Sequence, residues 1–203
     1  MHNLTPSIEK ELQGYRIFFR DEAKVSKTFN HADELIQYAQ ARTGAETSRI
    51  AISMWFRRYA FFVTAQLYML SKHRLIWEGT LQDFGVLDDP EDEHWLPNFL
   101  LKTNSWSNVT EKESPSALHS ILNSFGADAI RFFSGTAKIS NLVLWENIWS
   151  YTVWMYSELL KKTDIKTRVE KDIEMLLEDE VWLNIKRVPP LNDSLGKKVF
   201  RSP

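Results

Sequence analysis

Two basic clusters are the residues of this chain whose type and setting could do chemistry. Arg57-Arg58 lies in the middle of a long apolar stretch, and Lys72-His73-Arg74 closes the same stretch. A guanidinium among apolar side chains must find an acidic partner or a wet cavity, because an unpaired buried charge costs several kcal/mol. Arg57 therefore reads either as half of an intramolecular ion pair or as the cation of an anionic-ligand pocket. The second cluster has a plainer use, since cations at a helix C-terminus gain ~0.3–1 kcal/mol from the helix dipole. Catalytic motifs are missing: there is no G-x-G-x-x-G, no P-loop, no H-E-x-x-H and no nucleophile elbow. His2, His31, His73, His94 and His119 never stand three or four residues apart, so no helical metal pair is expected. The acidic run Asp88–His94 lacks the alternating Asp and central Gly of a calcium loop and reads as a solvated turn. No pair of carboxylates is singled out by spacing for acid–base work.

The elements that must carry these residues are mostly helical. Thr47 or Ser48 is expected to cap a helix running to about His73, apolar nearly all the way round and so buried on most sides. Arg49, Ser53, Arg57, Thr64 and Ser71 fall on one narrow stripe of it, either its one wet face or the polar wall of a ligand cleft. Before it, residues 1–14 allow an amphipathic start or a frayed tail. Tyr15–Phe19 favours a strand, and Ala32 to Arg42 a helix capped at Asn30 and stopped at Gly44. From Arg74 to Val109 the helical period gives way to short extended pieces separated by Gly and Pro. Ser114-Pro115 starts a helical pair, about Pro115–Ser124 and Ala127–Ser134, divided at Gly126 and broken at Gly135. Ser140 caps a long helix to about Lys162, and Asp164 a last amphipathic one ending near Asn184. The expectation is a single helical domain over residues 1–188, mainly α with a small β element (α+β) and long buried central helices. An extended arm follows over 189–203, after Pro189-Pro190.

Composition narrows the partners. The chain has 203 residues, 25 Lys+Arg against 27 Asp+Glu, and a formal net charge of −2, which argues against a nucleic-acid backbone as ligand. Zero cysteine excludes disulfides, thiolate nucleophiles and Cys-ligated metal within these residues. Eight Trp, twelve Phe and six Tyr make 13% of the chain, read first as core and second as an aromatic ligand cage. Glu9, Lys10 and Glu11 interrupt any leader-like apolar run, and the longest strongly apolar uncharged run, Tyr59–Ser71, is too short to span a bilayer. A cytoplasmic location with no transmembrane segment is the expectation.

Several segments resemble the FhuF-like ferric siderophore reductase family and the related siderophore-synthetase C-terminal domains. Leu118–Leu122 followed by Ser134–Trp154 is similar to the family's short helix and Ser-x-x-x-Leu-Trp-x-Asn helix, matched at Ser140, Leu144, Trp145 and Asn147. Ser53–Ser71 resembles the family's earlier helix through Arg58-Tyr59 and Leu67–Ser71. Together the matches cover most of residues 45–185, in family order. The resemblance implies one-electron reduction of a ferric siderophore after import, with an electron donor protein as second partner. Fe(III) suits the hard oxygen ligands of a siderophore and Fe(II) suits them less, so an added electron loosens the iron. It also implies a [2Fe–2S] cluster on four C-terminal cysteines, beginning with an adjacent pair. No such cysteine is present here, although Gly196–Pro203 resembles the basic arm that leads into the pair. Either a cysteine-bearing tail lies beyond these residues, which is the expectation favoured, or the chain is a relative without redox chemistry. No metal ligand and no catalytic residue is assigned.

What the resemblance leaves to these residues is recognition. Iron-loaded carboxylate and catecholate siderophores are commonly anionic, so a pocket needs fixed cations beside apolar walls. Arg57, Arg58, Lys72 and Arg74 are the candidate cations, with Trp55, Tyr59 and Trp145 as walls. The alternative is a siderophore-binding or partner-binding helical protein without catalysis.

Overall fold

In a computed structural model of the chain, which describes residues 3–19, 27–28, 30–87 and 95–185, the element that organises the rest is one long helix. It is α3, Ser48–His73 in chain order after α1 (Pro6–Gly14) and α2 (Ala32–Thr43). Thr47 caps it with extended backbone, its side chain accepting from the Ile50 amide, and Arg74 ends it in the left-handed conformation. Gly44 ends α2 in the same left-handed way, at a φ of 64° that only glycine adopts without strain. Before Tyr15 the chain forms a helix over Pro6–Gly14, because Thr5 caps α1 and Pro6 occupies its first turn.

The β element is small and split. β1 (Ile17–Phe19), β2 (Lys27–Thr28), β4 (Phe84–Leu87) and β5 (Asn98–Leu101) form a sheet in the order β1-β5-β4-β2. β1 runs parallel to β5 with Ile17 opposite Phe99, and the other pairs are antiparallel. β3 (Leu75–Trp77) and β6 (Trp106–Asn108) make a separate antiparallel pair beside the C-terminal end of α3.

The second half is helical: α4 (Ser114–Ile121), α5 (Asp128–Ala137), α6 (Asn141–Leu159) and α7 (Lys166–Leu177), then a 3-10 turn at Asp179–Trp182. The break expected at Gly126 does not occur. A π-helical segment, Leu122–Ala127, joins α4 to α5 without interruption. The glycine serves packing instead, since a Cβ there would fall 2.6 Å from the Trp145 ring. Gly135 likewise fails to stop α5, which runs on to Ala137.

α3 packs most extensively on α6. Asn147 donates to the Ser53 carbonyl, Tyr151 lies against Phe61, and Tyr156 accepts from Ser71, so the two helices advance in the same direction. One apolar core runs through all layers from Leu4 to Ile185. The mainly helical α+β architecture is as the sequence predicts, and no described helix is long and apolar enough to cross a membrane. The acidic run 88–94 and the arm 189–203, with its boundary at 188, lie outside the described residues.

Candidate functional site

The stripe of polar residues on α3 divides in two. Thr64 and Ser71 are fully buried, so the stripe is not one continuous wet face. Toward the N-terminal half it does reach solvent, and Arg57 stands there exposed. It lines a groove of about 540 Å³ between α3 and α6 with Phe61, Asn147, Ser150, Tyr151 and Trp154. Among the described residues Arg57 has neither an ion pair nor a hydrogen bond, which removes the intramolecular ion pair expected for it. It avoids the burial penalty by not being buried.

The groove's walls follow from helical spacing. Arg57 and Phe61 are one turn apart on α3; Asn147, Ser150, Tyr151 and Trp154 recur at three- and four-residue steps on α6. Phe61 and Tyr151 pack with ring centroids 4.4 Å apart. The Asn147 amide donates to the Ser53 carbonyl at 3.2 Å, fixing one helix against the other, and the Ser150 hydroxyl turns back to the Glu146 carbonyl. Trp154 is 51% exposed. Ile50 and Met54 on α3, and Leu142 and Val143 on α6, are further apolar side chains exposed on the same two helices. Arrays of exposed apolar side chains mark binding surfaces more often than chance. Chemically, the groove offers one uncommitted guanidinium, side-chain amide and hydroxyl groups, and aromatic faces.

The other residues singled out from sequence lie elsewhere. Trp55, Tyr59 and Trp145 are buried in the core and are not among the residues lining this groove. Trp55 sits among Tyr59, Trp95, Phe99 and Tyr38. The Tyr59 hydroxyl donates to the Phe125 carbonyl in the π segment at 2.6 Å, and burial, with the Asp128 charge, pushes its pKa well up. Trp145 stacks on Trp149 at 5.9 Å, with Trp182 against both rings. Arg58 holds a loop, its Nε donating to the Trp95 carbonyl at 3.2 Å.

The cluster at the end of α3 is committed to the fold. The Arg74 guanidinium makes two hydrogen bonds to Asp172, at 2.8 and 2.9 Å, and two to Glu111, at 3.0 and 2.9 Å. Burial alone would lower its pKa, but the two carboxylates outweigh that and push it up, so it stays charged. Lys72 meets Glu11 at 2.6 Å and lies over the Tyr68 ring. His73 and the Tyr68 hydroxyl take the other Glu11 oxygen, each at 2.7 Å. Partial burial pushes the Glu11 pKa up, yet these hydrogen bonds prevail and hold it at about 2. Lys72 and Arg74 are thus staples between α3 and its neighbours, not open ligand cations.

Phe61, Ser150, Tyr151 and Trp154 were not among the sequence candidates. The signal that could have found them is the polar and aromatic run Asn147, Ser150, Tyr151 and Trp154, set apart from the Trp145–Trp149–Tyr156 face of the same helix.

No described cluster of three or more His, Cys, Asp or Glu side chains could hold a metal ion. A [2Fe–2S] cluster of the resembled kind requires four thiolates, and these 203 residues offer none, so they do not fit that group. Compared with protein-family models, with curated proteins and with solved structures, the chain matches none.

Proposed function

We propose that this chain is the recognition body of a ferric siderophore reductase-like protein in iron acquisition, and that it seats the iron-loaded siderophore in the α3–α6 groove. The observation that carries the reading is Arg57, an uncommitted guanidinium in an aromatic-walled groove of about 540 Å³. That volume is within the range of small-molecule sites. Of the segments similar to the reductases, Ser53–Ser71 lies on α3 and most of Ser134–Trp154 on α6, the two helices that make the groove. Leu118–Leu122 lies at the end of α4 and the start of the π segment. Arg57 would bind an anionic edge of the ligand, Tyr151 and Trp154 would cover its apolar parts, and Asn147 would hold the helices in register. Reduction itself would draw on a centre and a donor protein outside these residues. A cytoplasmic location belongs to the same proposal.

The test is a titration of the purified chain with ferric siderophores of the carboxylate, catecholate and hydroxamate classes, followed by tryptophan fluorescence. Binding should quench Trp154, and Arg57→Ala should weaken the anionic classes about 10- to 100-fold, the worth of a charge-assisted hydrogen bond. Flat titrations with every class would remove the reading.

A second reading, a binding surface for a helical protein partner, is favoured by the exposed apolar side chains Ile50, Met54, Leu142 and Val143 of the same two helices. Met54→Asp would then abolish capture of the partner and leave siderophore quenching intact.

A further inference from the structure

Beside the π segment is a second cavity with a different chemistry. It measures about 440 Å³ and is lined by Asn30, Gly79, Thr80, Leu81, Gln82, Ser124, Asp128 and Phe132. Ser124, Asp128 and Phe132 follow one another at four-residue steps, so the π segment and the start of α5 present them as one stripe. The facing wall is the turn after β3. It is fitted closely to the core: a Cβ at Gly79 would fall 2.0 Å from the Trp77 ring, so the backbone approach needs glycine. Thr80 is fixed by a capping box with Asp83, both its amide and its hydroxyl donating to that carboxylate.

From these residues we infer that the cavity between the Gly79–Gln82 turn and the Ser124–Phe132 stripe binds a neutral polyhydroxylated ring, a saccharide-type ligand. Among its described lining residues there is no lysine or arginine and Asp128 is the one charge, so these residues disfavour an anion. Asp128 gives one carboxylate oxygen to Arg131 on the surface, which offsets its charge toward amines and leaves the second oxygen as a hydrogen-bond acceptor. One carboxylate without histidine is too few donors for a cation. What remains is a set of groups matched to vicinal hydroxyls. Asp128 accepts, the Asn30 and Gln82 amides both donate and accept, and the Ser124 hydroxyl does either. Phe132 and Leu81 supply the apolar surface on which the C–H face of a sugar ring rests. A volume of about 440 Å³ is near the lower end for small-molecule sites and suits one or two such rings.

This site is independent of the groove at Arg57 and stands whether or not a siderophore binds there. Saturation-transfer NMR and calorimetry on the full chain would use glucose, galactose, N-acetylglucosamine and maltose, against putrescine and inorganic phosphate as charged controls. At least one saccharide should bind, and Asp128→Ala should weaken it about 10- to 100-fold. Gln82→Ala, which trims an exposed side chain and keeps the backbone of the turn, should weaken it several-fold at unchanged melting temperature, and Arg57→Ala should leave it untouched. Saccharide binding that survives both Asp128→Ala and Gln82→Ala would overturn the assignment. So would putrescine or phosphate binding in place of every saccharide, or no saccharide binding at 20-fold excess over a ~1 mM threshold.

Discussion

The two halves of α3 treat an arginine in opposite ways. Arg74, at the C-terminal end, is clamped between Asp172 and Glu111, and its neighbours Lys72 and His73 converge on Glu11. Arg57, toward the N-terminal end, is exposed beside aromatic rings and makes no ion pair among the described residues. The same side chain is structural in one place and available in the other. What separates them is whether a carboxylate from a distant part of the chain arrives. A cation that has already spent its hydrogen bonds is a poor candidate for a ligand, however basic its local sequence looks.

The most damaging way to break this contrast is to strip Arg74 of its buried partner. Asp172→Ala leaves a largely buried guanidinium with the exposed Glu111 and the Leu70 carbonyl as its remaining described partners and should lower stability by ~3–5 kcal/mol. In a chain of this length that is a fall of about 6–20 °C in melting temperature, readable by circular dichroism. Replacing the pair together, Arg74→Met with Asp172→Leu, should recover most of that loss, because buried ion pairs often do no better than packed apolar residues. A double variant as unstable as Asp172→Ala would mean that the clamp supplies more than charge pairing.

The Glu11 cluster is next in size. The pKa of Glu11 in the folded protein, about 2, is below its ordinary value of 4.5, so its contribution is complete above pH 4.5 and is lost as pH falls from there toward 2. Because Glu11 is partly exposed, ~1–2 kcal/mol is a fair magnitude after screening. Glu11→Gln should destabilise the protein by that amount at pH 7 and flatten the acid limb of its pH–stability curve. An unchanged slope between pH 4.5 and 2 would contradict the hydrogen-bonded carboxylate. The smallest expected effect is at the other end of the helix. Arg57→Ala should shift stability by less than ~0.5 kcal/mol, as for a surface residue, while siderophore affinity falls. A large drop in melting temperature would place Arg57 with Arg74 and erase the distinction.

Local signals made much of the fold legible. Thr47, Ser140 and Gly44 mark helix ends by side-chain capping or positive φ, and each does so in the structure. Asn30 misleads by one position, since His31 precedes α2 and makes no side-chain cap bond. Gly126 misleads more, because close approach of the Trp145 ring is a tertiary reason for glycine that no local rule contains. The site was legible only at Arg57. α6 carries aromatic residues on nearly every face, so periodicity cannot say that Trp145 turns inward while Trp154 meets water. Arg74 and Asp172 stand 98 residues apart, and nothing in either neighbourhood announces the partner.

The tryptophan trio also gives the protein an internal optical gauge. Trp145, Trp149 and Trp182 sit with centroids 5.5–5.9 Å apart, close enough for their indole transitions to couple. Such coupling yields a near-ultraviolet dichroic band that vanishes when one chromophore swings away. Trp182 is tethered by its indole N–H to the Leu176 carbonyl. Undocking of the turn after α7 would therefore extinguish that band while far-ultraviolet helicity persists, so peeling of the bundle's last element could be followed separately from its melting.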